Sequence, residues 1–435
     1  MTVRMKAFFR LYNCSPGSYY ATMESINRRN FLFSKCVPAT ATLFGTGRQG
    51  QSKSVDPIGT FKPILQRDKL TDPVIIESLT LHKRDRNWFI RARSKDGAEG
   101  WSVGHPGKME LSQQVFTKVI APYLQGKDAR NLDQLVDGIF LRGSNYKMQG
   151  QLFWIQLAAA EFAILDLLGK IAKTSAADLL GGHRRKQIDL YIANNHRSKD
   201  PKESLIRIIK SVQSINAKAL KIKVGGRMKV IDEVPNRTER LIPMVAEALG
   251  GRCTLYADAN SSYVSVKKAI QIGKILEANK FAFYEEPVPF DYLEETNRVA
   301  DALEIPIAWG EQESSQWRFK WMVENSGVRI FQPDIFYYGG LIRSLRVAQM
   351  AAAKGFDCTP HISGGGLGFI YMGIFATSCP NPGPHQEYKG LSNDFPWEST
   401  GNKITVKDGS MTAPNGHGIG VNIDPDYLAK ADRIK

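Results

Sequence analysis

Seven short apolar runs, each ending in polar side chains, organise the stretch 219–388: ALKIK (219–223), TLYAD (254–258), FAFYE (281–285), IAWGE (307–311), RIFQPD (329–334), FDCTPH (356–361) and PHQEY (384–388). From Asp258 the steps to Glu285, Glu311, Asp334, His361 and Glu387 are 27, 26, 23, 27 and 26 residues. That interval fits one strand, one helix and two short loops. Between the runs lie SVKKAIQIGKILEAN (265–279), YLEETNRVADALE (292–304) and GLIRSLRVAQMAAAKG (340–355), whose apolar residues return every three to four positions, as in helices. Strands alternating with helices pair in parallel. About eight such units close into an α/β fold of the (β/α)8 TIM-barrel type, with the C-terminal strand ends meeting at one mouth.

A single Asp or Glu in this series reads as a helix cap or a solvated side chain. Three carboxylates on successive strand ends are different, because they repel one another unless a cation sits among them. The pattern therefore predicts a divalent metal at the mouth.

A chain of 435 residues exceeds one core, so a second domain is expected beside the barrel. No uninterrupted apolar run of membrane-spanning length follows position 70, and the mature protein is expected to need no membrane. The net charge is +15, but residues 1–70, with 11 Lys+Arg and 3 Asp+Glu, carry +8 of it. The remainder is spread over helices without an aromatic-interleaved basic patch, so no nucleic-acid partner is expected, and a mildly positive field suits small anionic substrates. The five cysteines (Cys14, Cys36, Cys253, Cys358, Cys379) are odd in number, lack CxxC spacing and read as buried free thiols.

Residues 1–70 read as a leader, in which Ile26-Asn27-Arg28-Arg29-Asn30-Phe31-Leu32 followed by VPATATLFG (37–45) has the form of a twin-arginine export signal, with Met23 as an alternative start. This predicts a periplasmic enzyme exported already folded, or a cytoplasmic one if the pattern is fortuitous. An α+β capping domain is expected over 71–183. PVIIESLTLH (73–82), NWFIRARS (87–94) and AEGWSVG (98–104) form strands with a hairpin at Asp96-Gly97, and helices follow at 112–124, 131–140 and 151–172. The last helix is apolar nearly all round and is expected between the cap and the barrel. The barrel occupies 184–390, with Asn194, Asn195 and His196 closing its first strand. The segment 391–435 has no long helical pattern and is expected to pack back on the cap.

A small α+β cap followed in order by LKIK, YADAN, YEEP, WGE, QPD and TPH resembles the enolase superfamily, in its mandelate racemase branch, over about 71–425. The resemblance implies Mg²⁺ held by Asp258, Glu285 and Glu311, while Glu286 is not a ligand in that pattern. It implies Lys223 as a base with Lys221 as its electrostatic neighbour, Asp334 and His361 as a dyad on the opposite side, and Glu387 as a carboxyl that hydrogen-bonds the intermediate, for which it must be protonated. Asn260, His196 and His105 are candidate substrate contacts. The residue types suit removal of a proton α to a carboxylate. The enediolate that forms needs a cation to stabilise it, and a neutral amine or an oriented imidazole to take the proton.

The majority use of this branch is dehydration of acid sugars to 2-keto-3-deoxy acids, which is the expected activity, and the subunits are expected to form a homo-oligomer; racemisation, epimerisation or cycloisomerisation is the runner-up, and a non-catalytic binding protein is the reading from another class. One departure stands out. The loop between the first two cap strands, HKRDRN (82–87), is too short to cover the mouth. Either the pocket is open to large or polymer-derived uronic acids, or Gly104-His105-Pro106-Gly107, the loop RGSNYKMQG (142–150) or a neighbouring subunit covers it.

Overall fold

The computed structural model describes residues 61–391 and 395–435; the twin-arginine-like stretch, Cys14 and Cys36 lie outside them. The cap begins with β1 (Ile76–Arg84), β2 (Asn87–Ser94) and β3 (Glu99–Val103), joined by hairpins. The β1–β2 connection is only Asp85-Arg86, with Asp85 at φ 55°. At the second hairpin Gly97 takes φ +85°, a left-handed turn position that favours glycine. Residues 61–70, grouped with the leader by composition, instead pack on the cap. Ile64 and Leu65 are buried, and their amides donate to the Asp133 carboxylate at 3.1 and 2.9 Å. An extended strap without periodicity gives no signal in sequence.

The first cap helix is interrupted: α1 (Met109–Val115) runs through a π turn at Phe116–Ile120 into α2 (Ala121–Leu124). After α3 (Leu132–Leu141) comes α4 (Gln151–Ile171), buried along most of its length. α4 is the one described helix long and apolar enough to cross a membrane, but here it is a core helix between cap and barrel, and two buried carboxylates on it explain its place. Asp166 accepts from the amides of Trp101 in β3 and Ile419 in the tail at 2.8 and 3.0 Å, and Lys170 lies 2.7 Å away. Glu161 accepts from the amides of Leu341 and Ile342, at 2.5 and 3.2 Å, at the start of a barrel helix. Orphan N–H groups at a helix start are thus satisfied from another domain. A short helix, α5 (Ala176–Leu179), leads to the barrel.

Eight parallel strands build the barrel: β4 (Gln187–Ala193), β5 (Ala219–Lys223), β6 (Thr254–Asp258), β7 (Phe283–Glu285), β8 (Ile307–Trp309), β9 (Ile330–Phe331), β10 (Asp357–Cys358) and β11 (Gln386–Tyr388). β4 pairs with both β5 and β11, so the sheet turns back on itself. Between β10 and β11 the links are single bonds, Cys358 N–H to the Asn381 carbonyl at 2.9 Å and Gly383 N–H to Thr359 Oγ1 at 3.1 Å. Helices follow the first seven strands: α6 (Pro201–Ser214), α7 (Arg237–Leu249), α8 (Val266–Ala278), α9 (Leu293–Ala302), α10 (Gln316–Asn325), α11 (Leu341–Ala352) and α12 (Phe369–Ser378). Side chains of Asp200, Ser265 and Ser315 cap α6, α8 and α10.

The eighth unit departs from the expected full repeat. Among the described residues no barrel helix directly follows β11, because 395–424 is broken by Gly, Pro, Asn and Asp and has no helical period. It forms β12 (Trp397–Ser399), β13 (Val406–Lys407), β14 (Ser410–Thr412) and β15 (Val421–Ile423). β14 lies antiparallel on the start of β4. The chain ends in α13 (Pro425–Ala429) and β16 (Asp432–Ile434), which joins the cap sheet beside β1. The three described cysteines, Cys253, Cys358 and Cys379, are buried free thiols.

Candidate active site

Strand register decides which side chains share the mouth. Lys223 pairs with Asp258, and Asp258 with Glu285, across β5, β6 and β7. Ligand oxygens of Asp258, Glu285 and Glu311 lie within 4.8 Å of one another, all buried. Two ammonium groups meet them. Lys221, wholly buried, is 2.6 Å from Glu285 Oε2, 3.1 Å from Glu387 Oε1 and 3.9 Å from Asp258 Oδ2, and Lys223 donates to Asp258 Oδ2. Burial alone would push the Lys221 pKa down, but Glu285 and Glu387 override it and hold it well above the ordinary lysine value. Lys221 is therefore a fixed charge within the carboxylate ring. Burial raises the Asp258 carboxyl, yet Lys223 and then Lys221 bring it below its usual range.

Glu285 tests the fit to a metal. Its Oε1 is buried without a hydrogen-bond partner. Burial, then the charge of Asp258, push its pKa up to about 8, with Glu311 adding to the rise and Lys221 and Lys223 opposing it. A buried, unpartnered carboxylate oxygen crowded by two more carboxylates is relieved by a hard divalent cation. The donor set is all oxygen and suits Mg²⁺. Adjacent Glu286, at φ 40°, takes a bond from Ser261 Oγ, and burial, with Glu311, Asp258 and Glu285 nearby, raises its pKa well above the ordinary value.

On the far flank Asp334 is fixed by the amides of Phe336, Tyr337 and Ser363 and by Ser363 Oγ, at 2.6–2.9 Å. Its Oδ2 accepts from His361 Nδ1 at 2.6 Å, which sets the tautomer and leaves Nε2 facing the site. Around Nε2 stand Lys389 Nζ at 3.0 Å, Glu311 Oε2 at 3.3 Å and Glu387 Oε2 at 3.5 Å. Burial lowers the His361 pKa, but Glu311, Glu387 and Asp334 outweigh it and Lys389, and the net shift is upward. Lys223 thus touches one carboxylate of the triad and His361 another.

One expectation needs correction. Glu387 is not a protonated donor: burial raises its pKa, yet Lys221, Lys389 and His361 together hold it well below the ordinary value. Asn260 stands beside the triad, its backbone amide donating to Asp258 Oδ1 at 2.7 Å. Its Nδ2 donates to Asp258 at 3.0 Å and its Oδ1 accepts from Arg197 at 2.7 Å, so it braces a candidate metal ligand. His196 lies on the loop between β4 and α6. Burial, then Arg207 on α6, lower its pKa, and the neighbouring Arg197 is the residue that reaches Asn260 and the Gly225 carbonyl.

His105 does reach the mouth. Its ring stacks on Tyr337 with centroids 5.6 Å apart, and burial pushes its pKa down to about 4 while Asp334, the strongest opposing group, raises it. Nδ1 accepts from Gly107 N–H at 3.1 Å, which leaves a neutral Nε2–H, buried and without a partner. The 142–150 loop adjoins the site through its neighbour Gln151, which donates to Gln312 Oε1 at 2.9 Å; Gln312 in turn donates to Glu311 at 2.8 Å. Lys389, Arg197 and Gln312 escaped the sequence reading. Lys389 carried a signal, since it follows Glu387 at the two-residue spacing that puts both on one strand face, as with Lys221 and Lys223.

Residues 63–181 match the family "Mandelate racemase / muconate lactonizing enzyme, N-terminal domain", and 207–427 match "Enolase C-terminal domain-like". The chain is 27% identical over 318 residues to arabinonate dehydratase of Saccharolobus solfataricus, covering 73% of this chain and 82% of that one. It is 25% identical over 381 residues to D-galactarolactone cycloisomerase of Agrobacterium fabrum, covering 84% and 96%. Among solved structures, a mandelate racemase/muconate lactonizing protein of Paracoccus denitrificans complexed with magnesium superposes with a TM-score of 0.71 at 27% identity, covering 84% of this chain and 98% of that one. With both domains matched in order around one carboxylate triad, the chain belongs to the mandelate racemase / muconate lactonizing enzyme family of the enolase superfamily.

Proposed function

We propose that the protein abstracts the proton α to a carboxylate with Mg²⁺ held by Asp258, Glu285 and Glu311, and that its reaction is dehydration of an acid sugar to a 2-keto-3-deoxy acid. The observation that carries this reading is the buried triad with an amine, Lys223, on Asp258 and an oriented imidazole, His361, on Glu311. The ion would supply positive charge at the substrate carboxylate as negative charge develops there.

The chain's own residues do the rest. Lys223 in its amine form takes the α-proton. Lys221 stays charged and steadies the developing anion from below the ring, with Glu387 as its counter-charge. His361, held by Asp334, delivers a proton from Nε2 to the β-oxygen, so the C–O bond breaks with loss of water and the enol product tautomerises to the ketone. His105 offers its neutral Nε2–H to a substrate hydroxyl. The relatives named as dehydratases support the elimination. The cycloisomerase relative favours intramolecular ring formation as the second reading, because both begin with the same proton abstraction.

A panel of aldonic, aldaric and uronic acids incubated with enzyme and Mg²⁺ should give a 2-keto-3-deoxy product from at least one member, detected as its semicarbazone. Isomerised products without any keto acid would move the assignment to the second reading.

A further inference from the structure

Lys389 has no role in the reaction drawn so far, yet its ammonium lies at the reacting atom of the dyad. Two of its three N–H donors have fixed acceptors, the Ile362 carbonyl at 2.8 Å and Glu387 Oε2 at 3.1 Å. The third lies along His361 Nε2 at 3.0 Å. His361 Nδ1 is committed to Asp334, so Nε2 is the only ring atom left to meet substrate. A substrate oxygen in reach of Nε2 comes within reach of the third Lys389 donor as well.

We infer that Lys389 touches the substrate at the departing hydroxyl and forms, with His361, a two-donor seat for that oxygen. The inference rests on the dehydration reading above. A simpler role, neutralising Glu387, is already filled at the other carboxylate oxygen by Lys221 at 3.1 Å. The placement also divides labour between the flanks. A carbon-bound hydrogen accepts no bond from an ammonium or from an imidazole N–H, whereas a leaving oxygen accepts from both. The His361 flank therefore suits a leaving oxygen, and the α-hydrogen falls to Lys223. In the balanced step the substrate oxygen sits between Lys389 and a doubly protonated His361: Lys223 gains the α-proton, the C–O electron pair leaves with oxygen, that oxygen takes the Nε2 proton of His361 and departs as water, and Lys389 keeps its own proton while donating a hydrogen bond.

The test uses the full chain with Mg²⁺, a turned-over acid sugar and its 3-deoxy-3-fluoro analogue, whose fluoride leaves without needing a proton. Lys389→Met should lower keto-acid formation about 10²-fold, as loss of one transition-state donor does. It should leave α-hydrogen exchange in D₂O near the wild-type rate and lose far less on the fluoro analogue. Lys389→Gln, a milder change should the Met variant fail to fold, should show the same split between exchange and water loss. Equal losses in exchange and in both eliminations, or no loss at all, would overturn the inference. A wild type that neither exchanges nor eliminates would instead remove the dehydration reading beneath it.

Discussion

Lys223 and His361 each rest on a different member of one carboxylate triad, and this fixes what single substitutions should do. Lys223→Met should cut α-hydrogen exchange by about 10³-fold, within the usual range for loss of a positioned base, while Mg²⁺ binding measured by calorimetry persists. Glu285 gives a pH prediction. Its pKa, raised first by burial to about 8, means the metal-free site carries a proton that the ion must expel. Apparent Mg²⁺ affinity should therefore climb as pH rises towards 8 and level off above it. Calorimetry in buffers of different ionisation enthalpy should show proton release below pH 8, and a flat profile would contradict the shift. The βα interval made Asp258, Glu285, Glu311, Asp334, His361 and Glu387 legible because it marks one strand end per unit. It could not mark Arg197, whose importance comes from a bond to Asn260 in another barrel unit, or Gln312, which matters through bonds to its neighbour Glu311 and to Gln151 of the cap. The charge on Glu387 was likewise out of reach, since Lys221 and His361, which act on it together with the nearby Lys389, come from other barrel units.

Helix α4 joins the cap to the barrel through charges as well as packing. Asp166→Ala would leave the Trp101 and Ile419 amides unpaired and Lys170 without its partner, and should destabilise the protein by about 3 kcal/mol, seen as a lower urea midpoint. Glu161 is pushed up to about 8 by burial against an ordinary value of 4.5. Between those values the folded state binds the proton that the unfolded chain releases, so stability is full at low pH and is lost as pH rises through 8. Glu161→Gln keeps an acceptor for the Leu341 and Ile342 amides and should flatten that slope in pH-dependent urea melts. The apolar surface of α4 was readable from its own residues. Its use of Glu161 as a cap for α11 was not, because the partner lies 180 positions away. The absence of an eighth barrel helix was half legible: the tail plainly lacked a helical period, but the antiparallel docking of β14 on β4 had no local mark.

At the scale of the molecule, the two-residue β1–β2 turn removes the usual cover, and the cap reaches the mouth through His105 and through Gln151 beside the 142–150 loop. The tail adds β16 to the cap sheet after leaving the barrel, so the described residues of cap, barrel and tail form one continuous unit. A chain beginning at Thr60 should keep wild-type turnover, checked by the keto-acid assay. Magnesium at about 100 times its Kd should raise unfolding free energy by about 2.7 kcal/mol, reversed by chelation, as measured by thermal melts. The most direct measurement is ¹H NMR of acid sugars in D₂O with the full chain, Mg²⁺ present or chelated. Loss of the α-proton signal, or its conversion to keto acid, only with Mg²⁺ and not in Asp258→Asn is the predicted result. A bound ion with no α-hydrogen exchange across the whole panel would contradict the account.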